Sequence, residues 1–139
     1  MTKTLNRLRD EAYQNSVEHG FHDSDKEVMK TMAGLHALIA QRIALIHSEL
    51  SEALEADRKE RYANLYAFNC KGQQTPKEGV DPFVDRFKVH IKDTFEDELA
   101  DAMIRILDLC GWMDIDIQRH VELKMQYNAG REKMHGKKY

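Results

Sequence analysis

Four carboxylates in this chain fall into two pairs of equal spacing. Glu49 and Glu52 sit in HSELSEALEADRKER, and Glu98 and Asp101 sit in TFEDELADAMIRILDL. On an α-helix, positions three apart share one face about a turn apart, so each pair forms a two-carboxylate claw. Glu49 stands three and four residues from Ile46 and Ala53, and Glu98 stands likewise between Phe95 and Ala102. One acid of each pair therefore rides the apolar stripe of its helix and its mate lies at the edge. If the two stripes pack on each other, four negative charges converge. Burying such charges unpaired costs about several kcal/mol each, so the cluster takes up protons or binds a cation. An all-oxygen donor set suits hard ions, with Mg²⁺ the expected cofactor and Mn²⁺ a substitute. A di-iron bundle is the competing chemistry, but it uses Glu-x-x-His. Neither pair has a histidine at the third position, and His47 precedes Glu49 by only two residues.

A second group of polar residues follows on a later helix. The stripe Ile117, Val121, Lys124, Asn128, Arg131 keeps helical steps while turning from apolar to polar. Lys124, Asn128 and Arg131 are candidates for the anionic end of a ligand whose phosphates bridge the metal. Arg105, one turn after Asp101, is either a further ligand contact or the ion-pair partner of an acid.

Positioning these groups requires helices, and the pattern supplies them. Apolar residues recur with a period close to 3.6 and no long alternating run occurs, so the expected fold is all-α, four to five helices in a single domain over 1–139. The first helix is expected over 4–19, with Leu5, Leu8 and Ala12 inward and Gly20 ending it. Ser24 and Glu27 read as a capping box. It opens one long helix to about residue 62, with the stripe Val28, Met32, Leu35, Ile39, Ile43, Ile46, Leu50, Leu54 and a kink at Gly34. Ala33, Ala37, Ala40 and Ala44 form a small-residue ridge that suits close helix approach, internal or between subunits. Both prolines and two of seven glycines fall in 69–82, the expected main loop. Residues 83–92 read as irregular or a short helix. Thr94 is the expected N-cap of the next helix, which breaks near Gly111; the last starts near Asp114 or Asp116, and 132–139 form a mobile tail.

Composition bounds the partners. Among 139 residues, 42% are hydrophobic and the net charge is −3, which argues against a general nucleic-acid binder. No apolar run of about 18 residues suggests a membrane span, and the polar N-terminus lacks a signal-peptide core. Cys70 and Cys110 lack metal or redox spacing and read as free thiols of a cytoplasmic protein.

Glu49-x-x-Glu52 followed by Glu98-x-x-Asp101 resembles the ExxE…ExxD signature of the all-α, MazG-like nucleoside triphosphate pyrophosphohydrolases. Lys124-x₃-Asn128-x₂-Arg131 and the HGKK at 135–138 are similar to that superfamily's C-terminal segment, so the resemblance covers roughly 28–138. It implies a MazG-like bundle completed by oligomerisation as a homodimer or homotetramer. It also implies Mg²⁺-dependent hydrolysis of a (deoxy)nucleoside triphosphate to the monophosphate and pyrophosphate. Glu49, Glu52, Glu98 and Asp101 would hold metal, and Glu52 or Glu49 would also orient or deprotonate the attacking water. Lys124, Asn128 and Arg131 would hold phosphates or sugar. The segment 53–97 is long for the family. The core motif leaves open the base and whether a triphosphate or diphosphate is used; His36, Tyr62, Tyr66, Phe68 and Trp112 are candidates for contacting the base, with burial in the core the favoured reading for any one of them. A non-catalytic nucleotide- or metal-binding helical oligomer is the alternative function.

Overall fold

The computed structural model describes residues 2–70 and 79–131. Part of the expected loop (71–78), the tail at 132–139 and the HGKK segment lie outside the described residues. Among the described residues the chain is all helical, with seven helices: α1 (Leu5–Glu18), α2 (Asp25–Val28), α3 (Met32–Arg58), α4 (Leu65–Asn69), α5 (Pro82–His90), α6 (Phe95–Trp112) and α7 (Ile117–Ala129). None of them is long and apolar enough to cross a membrane. The chain divides into two compact units, one of residues 1–38 and 106–139, the other of residues 39–105.

The count exceeds the expected four to five because the long helix is broken and the segment before α6 is more helical than its pattern suggests. Residues 29–31 separate α2 from α3, although the apolar steps run straight across them. Thr31 makes the break: its Oγ1 accepts the Gly34 amide at 3.0 Å. Ser24 precedes α2 but makes no side-chain cap, so the expected capping box is absent. Gly34 does not kink a running helix; it sits in the first turn of α3, where a Cβ would come 1.8 Å from the Val28 carbonyl oxygen. Pro82 begins α5 at a position where its missing N–H costs nothing, and Asp81 caps the helix by accepting from Phe83 and Val84.

Three helices end alike, and only one end carries a glycine. After α1, the Phe21 amide donates to Ser16 O at 3.1 Å and Gly20 takes φ 81°. After α3, Arg61 donates to Ala56 O at 2.9 Å with Glu60 at φ 53°. After α6, Ile115 donates to Cys110 O at 2.8 Å with Asp114 at φ 51°. Each is the 6→1 closure in which one left-handed residue lets the chain turn back on the last free carbonyls. Thus α3 ends at Arg58, short of the expected 62.

In the unit of 1–38 and 106–139, α1 packs on α7. Asn6 donates to Asp116 Oδ1 at 2.7 Å and accepts from the Gln118 amide at 3.1 Å; Arg9 donates to Ile115 O at 2.8 Å. As expected, α6 ends beside Gly111, at Trp112. Gly111 is also a contact residue: a Cβ there would lie 2.5 Å from Tyr13 Cβ and 3.3 Å from Arg9 O. Gly111→Ala is therefore expected to force α1 outward and cost about 1–3 kcal/mol, which chemical denaturation would measure; an unchanged midpoint would show that α1 yields freely.

In the unit of 39–105 the most buried side chains are small: Ala53 is 2% exposed, Ala102 3% and Ala56 5%. These alanines carry close packing. The expected ridge of Ala33, Ala37, Ala40 and Ala44 is exposed throughout. Much of the predicted apolar stripe also faces outward, including Ile43, Leu50 and Leu54. In the unit of 1–38 and 106–139, Leu5 and Ala12 are half-buried while Leu8 is exposed.

Candidate metal centre

The acid-bearing turns are fixed by the segment that follows α3. The Phe95 amide donates to Arg61 O at 2.9 Å and the Ala63 amide to Glu96 Oε2 at 2.8 Å. Asn64 donates to His90 O at 3.0 Å. Thr94 caps α6 as expected, its Oγ1 accepting from Asp97 at 3.3 Å, and Asp97 in turn accepts the Asp93 amide at 2.9 Å. The start of α6 is thus pinned on both sides, which sets where Glu98 and Asp101 stand. Glu49 comes from the middle of α3, four residues before Ala53, the most buried of the alanines in this unit.

Glu49, Glu98 and Asp101 each offer a carboxylate oxygen, and the three oxygens lie within 4.8 Å of one another. Glu49 and Glu98 are both buried at 7% exposure, while Asp101 is exposed. Glu52 is exposed, with Ser48 Oγ 3.5 Å from its Oε1. It is close enough to act on its neighbours. Burial pushes the Glu98 carboxyl above the ordinary range, and the charges of Glu52, Asp101 and Glu49 push it further. Asp101 is raised by desolvation and by Asp97 and Glu49, against the opposing pull of Arg105. The upward shifts come first from burial and then from mutual repulsion of the acids; three carboxylate oxygens this close are a donor set that a hard cation can use.

Arg105 lies in the cluster, its Nε donating to Glu49 Oε1 at 2.6 Å. Of the two roles read for it, the structure shows the ion pair. Asp97 was not among the expected ligands and is the largest charge acting on Asp101; its own oxygen serves the Asp93 amide, so it reads as a capping acid. The remaining expected site residues belong to the other unit. On α7, Lys124 Nζ lies 5.1 Å and the Arg131 guanidinium 5.7 Å from the centre of the Tyr127 ring. Asn128 Oδ1 is buried with no hydrogen-bond partner among the described residues. His36 is exposed on α3.

The base-contact candidates are mostly not core. Tyr66 is 82% exposed, and Tyr62 is 52% exposed with its hydroxyl donating to Asp57 Oδ1 at 2.6 Å. Phe68 is half-buried edge-on to Phe83, and Trp112 is half-buried with its ring 6.3 Å from that of His22. Cys70 and Cys110 are free thiols.

No family model matches this chain, and no curated protein and no solved structure shows significant similarity to it.

Proposed function

We propose that this chain is a Mg²⁺-dependent nucleoside triphosphate pyrophosphohydrolase of the MazG-like, all-α kind. The observation that carries the reading is the convergence of two claws distant in sequence: oxygens of Glu49, Glu98 and Asp101 within 4.8 Å, with Glu52 beside them. Glu49, Glu98 and Asp101 would hold the ion, and Glu52, exposed at the edge, is free to orient a water. A bound Mg²⁺ would supply the positive charge that activates water and offsets charge building on the leaving pyrophosphate. The chain's own contribution is to hold two of the carboxylates nearly water-free and aimed at one point. Lys124, Asn128 and Arg131, the first and last exposed and cationic, serve as phosphate or sugar contacts in this reading.

The reading includes a homo-oligomer. Ile43, Leu50 and Leu54 repeat on one face of α3 at 44, 46 and 50% exposure, and Leu99 and Met103 on α6 are 37 and 49% exposed. Apolar rows of this kind are ordinarily covered; light scattering giving a dimer or tetramer supports the oligomer, and a monomer rejects it.

The deciding experiment incubates the purified chain with Mg²⁺ and a panel of ribo- and deoxyribonucleotides and identifies the products. Pyrophosphate release with the monophosphate is expected from at least one triphosphate. Orthophosphate alone, or tight binding without turnover across the panel, rejects the proposal.

A further inference from the structure

Glu49 faces two competing demands. Its carboxylate belongs to the three-oxygen cluster, yet one oxygen, Oε1, accepts from Arg105 Nε at 2.6 Å. We infer that Arg105 is a resident counter-ion of the cluster, which a divalent cation must displace from Glu49 in order to bind. This rests on the metal-centre reading above. A guanidinium held against a ligand oxygen both occupies a lone pair and repels a dication drawn toward the same carboxylates. The same charge partly compensates the acids while no ion is bound, through its 2.6 Å pairing with Glu49 inside the cluster. The two partners differ in freedom. The Glu49 side chain is 9% exposed and the Arg105 side chain 42%. Exchange therefore moves the arginine: its head swings into water on a flexible stem while Glu49 stays where the cluster needs it. Arg105 thus stabilises the ion-free protein and weakens its hold on the ion.

Calorimetric titration of the metal-free full chain with MnCl₂, at about pH 8 and without nucleotide, tests this. Arg105→Gln is expected to bind Mn²⁺ about tenfold more tightly than the unaltered chain. Its ion-free melting temperature falls, and its gain on adding Mn²⁺ is the larger. Arg105→Lys, shorter and more strongly hydrated, is an intermediate competitor at about threefold tighter, and it carries the test if the glutamine variant does not fold. Unchanged or weaker Mn²⁺ binding by these variants overturns the inference and leaves the cluster an ion site. Absence of binding heat in every protein, the unaltered chain included, overturns both.

Discussion

Glu98→Gln is expected to lower Mg²⁺-dependent pyrophosphate release by about 10²–10³-fold or more while raising the melting temperature of the ion-free protein. The two effects have one cause. Glu98 is 7% exposed and its carboxyl is pushed up first by burial and then by Glu52, Asp101, Glu49 and Asp97. Glutamine keeps the shape and removes the charge, so the repulsion disappears together with the ligand. In the unaltered chain, an ion at about a hundred times its Kd adds about 2.7 kcal/mol of stability by mass action; the variant loses most of that gain. Activity assays and thermal melts with and without Mg²⁺ check the pair. A variant that melts lower without the ion would make Glu98 a structural residue.

The pH dependence has a definite sign. Glu98 and Asp101 both have folded-state pKa values raised above those of the unfolded chain. The folded state therefore binds protons more tightly at these positions, and each ionised carboxyl costs stability. That cost is fully present above the folded pKa values, shrinks as pH falls through them, and vanishes below the unfolded ones. Exposed acids such as Glu11, lowered by hydrogen bonds from Lys3 and Arg7, pull the opposite way. The difference between the unaltered chain and Glu98→Gln at each pH isolates the cluster: without ion, the variant's advantage is largest above the folded pKa of Glu98 and fades with acid. With Mg²⁺ present the order reverses, because protonation then removes a ligand.

The claws were legible because two rules sufficed: i, i+3 spacing puts two acids on one helical face, and flanking apolar residues at three and four turn that face inward. The all-helical class and the Thr94 helix start followed from period and capping chemistry in the same way, and the last helix starts at the second of its two expected positions, Asp116. Other features left no such mark. The end at Gly20 could be read from its glycine, whereas Glu60 and Asp114 adopt the same left-handed turn with a side chain that nothing local announces. The break at 29–31 hides under an unbroken apolar period. Gly111 stands beside the end of α6 as expected, but nothing in the sequence shows that Tyr13 lies against it. Periodicity shows which face of a helix is apolar but not what covers it, so Ile43, Leu50 and Leu54 read as core although they are exposed here. The pairing of Arg105 with Glu49 spans 56 residues and no spacing rule reaches it.

His22 is the largest omission of that kind, and replacing it is expected to have the largest effect on stability. Both ring nitrogens lie within hydrogen-bonding distance of a carboxylate: Nδ1 is 2.6 Å from Asp25 Oδ2 and Nε2 is 2.9 Å from Asp108 Oδ1. The side chains of His22, Asp25 and Asp108 are only 7, 6 and 17% exposed. The Tyr13 ring stands edge-on at 5.0 Å. Helix α2 has four residues and cannot hold itself, so this bridge ties it to α6. His22→Leu fills the space but takes the imidazole partner from two nearly buried carboxylates, a change expected to cost about 3–5 kcal/mol and to lower the melting temperature by about 10 °C or more. The source of that cost is open to direct test. In the triple variant His22→Leu, Asp25→Asn, Asp108→Asn both charges are gone, and more than half of the lost stability should return. If it does not return, the loss lies in the packing of the imidazole between Tyr13 and Trp112, because carboxylate charge cannot explain a deficit that survives its removal.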